Sequence, residues 1–278
     1  MDFTPEALAQ ELQKYQDGQV LYFQKPLTWT SFKLVNEVRF TLCRSLKNKK
    51  LKVGHAGTLD PLATGVMIVC TGRATKRIES LQGQNKEYVA TLELGATTPS
   101  FDLEKPIDAT FDFSHVTREL AAEVVSHFIG TIEQVPPTYS ACKIQGRRAY
   151  EMAREGEQVE LKPKTLVIDE IEMLDFQMPD ENAGLVRPRM KLRIVCSKGT
   201  YIRALARDIG QALQCGAHLT ALQRTRVGEV RLEDCLDIYE FKKEYLPDWV
   251  ETDRGPLSFS GRKKRVIEKN TEQTDKGL

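Results

Sequence analysis

The first clear pattern along the chain is helical. Thr4 can cap a helix, Pro5 suits the first helical position and Gly18 can end it, so a helix is expected over residues 4–17. Residues 20–23 read as a strand that Lys25-Pro26 breaks. Thr30 and Ser31 precede a run in which Phe32, Val35, Val38 and Leu42 recur at helical spacing. Residues 54–65 read as a loop, and the apolar run 66–70 after it as a buried strand. A further strand is expected over 88–94. A helix is expected over 114–129, with Leu120, Val124, Val125 and Phe128 inward. Residues 190–196 alternate, placing Leu192, Ile194 and Cys196 on one face of a strand. Gly199-Thr200 turns the chain into a helix whose buried stripe is Ile202, Leu205, Ile209 and Leu213.

Strands and helices interleave at irregular spacing, which argues against a regular βαβ repeat. The pattern predicts an α/β (α+β) fold, a mixed sheet with helices around it. Beyond about Phe241 the chain turns charged and poor in apolar residues. The expectation is one body over 1–240 and a short charged extension over 241–278, mobile from about 258.

The 278 residues are 41% hydrophobic and 28% charged, which suits a globular protein with a sizeable core. The net charge of +1 announces no anionic partner, but the local charge does more. Arg39, Arg44, Lys47, Lys49, Lys50 and Lys52 run without an intervening acid, and so do the seven cations from Arg187 to Arg207. Such clusters fit one positive face for a nucleic acid, or simply a solvated surface. None of the six cysteines forms a C-x-x-C pair, and Cys215–His218 has no second ligand pair. No metal site is expected. The early acids argue against a signal peptide and no apolar run can span a bilayer, so reducing cytoplasm is the expected compartment.

Candidate chemistry concentrates in Gly54-His55-Ala56-Gly57-Thr58-Leu59-Asp60-Pro61-Leu62-Ala63-Thr64-Gly65. Three glycines permit close approach of a ligand to backbone, and Pro61 pushes Asp60 toward an extended conformation. That presents one carboxylate from a stiff loop, although an Asx-turn would use the same residues. No Gly-Lys-Ser/Thr follows, so this is not a P-loop.

The string 54–65 resembles the catalytic motif of the TruB family of tRNA pseudouridine-55 synthases. Lys25-Pro26 with Trp29-Thr30-Ser31-Phe32 resembles the family's N-terminal motif. Lys86-Glu87-Tyr88 with Leu94-Gly95 and Thr98, Val135-Pro136-Pro137 through Tyr150, Cys196 to Arg203, and Gly216-Ala217-His218 with Leu222 to Arg226 resemble later ones, in the family's order. Gln24 and Pro99 depart from the common pattern. Many members carry a C-terminal PUA-type domain, for which the residues after Leu236 are too few and too polar.

The resemblance implies a pseudouridine synthase fold with a largely antiparallel sheet, and a basic RNA-contacting insertion at about 134–165. It implies isomerisation of a T-loop uridine in tRNA without cofactor or metal, by a monomer with no obligate protein partner. Asp60 would be the catalytic carboxylate and Arg203 the cation that holds it, where residue type alone allows a surface ion pair. Tyr88 would stack on the flipped uracil and serve catalysis with a phenol able to move a proton, where a strand tyrosine otherwise packs across strands. Tyr201 and Leu222 would line the pocket, His55 would stack in the T-loop gap, and Lys76 would touch phosphate. A non-catalytic RNA-binding module could use the same basic and aromatic residues. It has no need of Asp60, which an anionic backbone would repel, and this favours the enzyme.

Overall fold

Thr4 Oγ1 accepts the Ala7 N–H at 3.3 Å and Pro5 opens the helix, so α1 runs Pro5–Asp17 as expected. The structure, a computed structural model, describes residues 4–140, 143–144, 147–148, 152 and 161–247. After β1 (Val20–Lys25) comes α2 (Ser31–Ser45), capped by Thr30 Oγ1 on the Lys33 N–H at 3.0 Å. The first half continues through β2 (Val53–Ala56), β3 (Ala63–Thr71), a 3-10 segment Gly72–Arg77, α3 (Ile78–Gln82) and β4 (Lys86–Leu94). The short pair β5 (Ala96–Thr97) and β6 (Ala109–Thr110) stands apart from the main sheet and is followed by α4 (Arg118–Ser126) and β7 (Gly130–Gln134). The basic stretch holds a second short pair, β8 (Lys143–Ile144) with β9 (Arg147–Arg148). Then follow β10 (Lys164–Gln177), β11 (Arg189–Cys196), α5 (Ile202–Ala212), β12 (Ala217–Val227), β13 (Val230–Arg231) and α6 (Ile238–Tyr245).

Nine strands form the main sheet, in the order β1-β3-β12-β4-β11-β10-β7, with β2 on β3 and β13 on β12. Every pair is antiparallel except β3 with β12. The expected mixed, largely antiparallel sheet flanked by helices is therefore what forms. Leu92, Met190, Leu192 and Ile194 pack with Leu205 and Ile209 of α5. A second core gathers Leu34 and Val38 of α2, Phe23, Met67 and Phe241. Each such side chain, fully buried, contributes about 1.5–3 kcal/mol. Gly210 lets α5 press on the turn into β12: a Cβ there would meet the Ala217 nitrogen at 2.3 Å.

The structure departs from the pattern in five places. Phe32 is exposed, because the buried stripe of α2 centres on Leu34, Val38, Thr41 and Leu42 and Phe32 lies roughly a third of a turn off it. The loop expected over 54–65 shrinks to 57–62, since β2 and the start of β3 find partners that no local pattern shows. The helix expected over 114–129 starts only after Thr117, whose side chain caps it. The strands β10 and β12 were not expected; β10 alternates around acids and carries two bulges, which masks its period. The body does not stop at 240: that boundary falls inside α6, where Phe241 and Tyr245 are buried and Lys242 pairs with Glu37 at 2.6 Å. The expected mobile segment from 258 lies outside the described residues.

Candidate active site

The loop 57–62 is held from both sides by buried donors. Ser31 Oγ donates to the Leu59 carbonyl at 2.9 Å and accepts its N–H at 2.8 Å, which fixes the residue before Asp60. Arg224, almost wholly buried on β12, donates to the carbonyls of Val66, Thr58 and Gly57. Lys25 ends β1 with its Nζ on the carbonyls of Pro26 at 2.8 Å and Trp29 at 2.6 Å, and reaches Pro61 at 3.4 Å. Burial lowers the Lys25 pKa to about 8, with the Asp60 charge opposing and Arg224 adding to the shift. Gly65 has φ +111°, and a Cβ there would sit 2.1 Å from the Arg224 carbonyl oxygen, where β3 meets β12. Only glycine fits that contact.

On this support the Asp60 carboxylate is 39% exposed, so it is rigidly based and still reachable. Its Oδ2 accepts the Arg203 Nε–H at 2.9 Å. Arg203 is buried in the first turn of α5, with Nη1 on the Ser100 carbonyl at 3.1 Å and Nη2 on the Tyr139 carbonyl at 2.9 Å. Asp102, also buried, brings Oδ2 to 3.7 Å from the same Nε. The guanidinium is thus tied at three nitrogens and cannot swing. It shares one positive charge between two carboxylates, and only Asp60 faces outward to any extent.

Asp60, Arg203 and Asp102 line one cleft, with Leu62, Leu103 and Leu222 supplying its apolar walls. Tyr88 lies buried on β4, across from Arg224 and Ile194, in the core cluster that includes Leu59 and Ala63. Burial pushes its phenol pKa up, against the pull of Arg224 beside it. Tyr201 precedes α5, its N–H and carbonyl both bonded to the Gln134 amide. His55 is half-buried on β2, and its pKa is lowered chiefly by burial, so the imidazole is neutral near pH 7. Lys76 is exposed on the 3-10 segment that follows the far end of β3 and does not line the cleft. Lys25, Ser31 and Arg224 stand within the sequence motifs, which by themselves give them no role. Asp102 left no local signal at all. No cluster of potential metal ligands occurs among the described residues.

Residues 44–202 match the TruB family pseudouridylate synthase N-terminal domain, and residues 203–254 match the tRNA pseudouridylate synthase B C-terminal domain. The chain belongs to the TruB family. The TruB-family protein named tRNA pseudouridine synthase B in Phocaeicola vulgatus is 63% identical over 237 residues, 85% of this chain and 95% of that one. Its counterpart in Parabacteroides distasonis is 66% identical over 234 residues, 84% of this chain and 94% of that one. Among solved structures, an H/ACA ribonucleoprotein bound to a substrate RNA containing 2'-deoxyuridine aligns at TM-score 0.58 and 26% identity, covering 90% of this chain and 60% of that one. A Cbf5-Nop10-Gar1 complex aligns at TM-score 0.59 and 28% identity, covering 87% of this chain and 58% of that one. This chain thus spans under two thirds of the length of these solved chains. The first TruB match contains Asp60 and Asp102, and the second begins at Arg203, so the cleft is assembled from both.

Proposed function

We propose that this TruB-family enzyme isomerises the uridine at position 55 in the T-loop of tRNA to pseudouridine, with Asp60 as the attacking carboxylate. The observation that carries the reading is the Asp60–Arg203 contact at 2.9 Å, with the arginine buried and the carboxylate reachable. The reaction breaks the bond from ribose C1′ to uracil N1 and forms one from C1′ to C5. The proton on C5 is released and N1 gains one. Atoms and electrons balance without oxidant, reductant or water, so the chemistry calls for no cofactor. One carboxylate must attack, at the sugar or at the ring, and Arg203 keeps it aimed.

The target base has to leave its stack, at a cost of a few kcal/mol. Stacking on Tyr88 offsets about 1–3 kcal/mol of this. Tyr88 is a neutral phenol at working pH, and burial moves its pKa further up. Leu222 and Tyr201 close the pocket, neutral His55 fills the gap left in the T-loop, and Lys76 meets a phosphate at the edge of the footprint. The insertion between β7 and β10, with Lys143, Arg147 and Arg148, grips the T-arm. The enzyme works as a cytoplasmic monomer whose catalytic unit extends through α6.

Asp60→Asn tests the reading. It keeps the size of the side chain and removes the charge, so turnover should vanish while tRNA affinity, set by phosphate contacts, holds. Incubation with unmodified tRNA transcript, followed by chemical labelling of pseudouridine, reads the outcome. Substantial product from the variant would sink the assignment of Asp60.

A further inference from the structure

The outward face of α2 carries two features that the isomerisation leaves unused. Phe32, in the first turn, is 69% exposed, the most exposed aromatic side chain among the described residues. Seven residues on, two helical turns and about 10 Å along the axis, Arg39 lies on the same face. Arg39 is exposed as well and lines a concavity with Lys50, Lys52, Gly54 and Thr75. No carboxylate lines that concavity. An exposed phenyl ring on the same helix face as a hollow of three like charges suits an anionic partner with open aromatic faces.

Both features connect to the candidate active site. The start of α2 touches the catalytic loop through Ser31, which bonds both backbone groups of Leu59. From the concavity the chain runs from Gly54 through His55 into the loop that bears Asp60. Phe32 therefore stands next to the residue that braces the Asp60 loop, and Arg39, two turns along the same face, stands in the positive hollow.

We propose that this face of α2 is a track for an unpaired strand of the RNA substrate: Phe32 stacks on a base next to the flipped uridine, and the Arg39–Lys50–Lys52 hollow holds a backbone phosphate of the same strand. The inference rests on the RNA substrate proposed above and adds the part of the footprint that grips it. A duplex hides its base faces, so the aromatic selects looped or single-stranded RNA. The phosphate contact adds affinity without sequence preference.

The test measures binding of unmodified tRNA transcript to Asp60→Asn protein, alone and with Phe32→Ala, Phe32→Trp or Arg39→Gln added. Loss of one stacked base predicts a Kd about 5- to 150-fold weaker for Phe32→Ala. Phe32→Trp should restore it, and the thermal melting point should not move, because the ring is exposed. Arg39→Gln should make the salt dependence of binding shallower by about one unit, and Phe32→Ala should leave that slope alone. In the active enzyme the Phe32→Ala loss should sit in KM rather than kcat. Unchanged affinity in Phe32→Ala, no rescue by Trp, or an unchanged slope in Arg39→Gln would overturn the track. If the Asp60→Asn parent itself binds no tRNA, the substrate reading fails and the track fails with it; a binding parent with an indifferent Phe32 removes the track alone.

Discussion

Arg203 donates from three guanidinium nitrogens to one carboxylate and two carbonyls, at 2.9 to 3.1 Å. Lysine would keep the charge and lose that fork. Arg203→Lys should therefore leave Asp60 poorly aimed and lower kcat about 100-fold or more, with tRNA affinity little changed. Single-turnover pseudouridine formation checks this, and near-normal turnover would reduce Arg203 to a counter-charge. Lys25 gives a pH signature of its own. Its folded pKa of about 8 lies below the ordinary 10.5, so between those values the unfolded chain binds more protons. The cost of burying this ammonium is complete below about pH 8 and is relieved as pH rises toward 10.5. Lys25→Met removes the titrating group. Denaturant titrations between pH 8 and 10 should show the wild type gaining stability more steeply than the variant, by up to about 1.4 kcal/mol per pH unit. Parallel slopes would mean that Lys25 is not desolvated as described.

At the scale of elements, α6 is the helix that the boundary expected from the sequence cuts in two. Three contacts dock it: Phe241 edge-on to Phe23 at 5.2 Å between ring centroids, Tyr245 to the Tyr15 hydroxyl at 2.7 Å, and Lys242 to Glu37 at 2.6 Å. The Lys242–Glu37 pair is largely removed from water, so neutralising one partner strands the other's charge. Glu37→Gln should cost about 3 kcal/mol in urea denaturation, whereas Glu37→Met with Lys242→Met should recover most of it. A Glu37→Gln variant of native stability would show the pair to be solvated. α2 divides its labour in the same way: its inner stripe builds the second core, and its outer face carries Phe32 and Arg39.

For the whole molecule, the cleft forms where three distant segments converge. The loop after β2, the turn before β6 and the first turn of α5 supply Asp60, Asp102 and Arg203. The proposed substrate contacts, those on the face of α2 included, all fall on one looped strand. An isolated T-arm stem-loop should therefore be modified, with a lower kcat/KM than full-length tRNA. Product formation on a synthetic stem-loop measures this directly. Activity confined to full-length tRNA would place essential contacts outside the T-arm.

Local chemistry was legible where it is local. The cap at Thr4, the alternation of β11 and the stripe of α5 each follow from residues a few positions apart. The string around Asp60 and the motifs beyond it identified the family, and with it the roles expected of Tyr88, Arg203 and Leu222. None of these needed a contact map, because each is written in consecutive or periodic residues. The sequence alone did not reveal that Arg224 braces Gly57 and Thr58, that Lys25 does the same for Pro61, or that Asp102 shares Arg203 with Asp60. All of those pairs lie between 36 and 167 positions apart. Nor does periodicity tell which edge of an amphipathic helix is covered: Phe32 fits the apolar spacing of α2 and still faces water. A period fixes the angle between side chains on a helix, while the packing of α2 against β1 and β3 fixes which angle points inward.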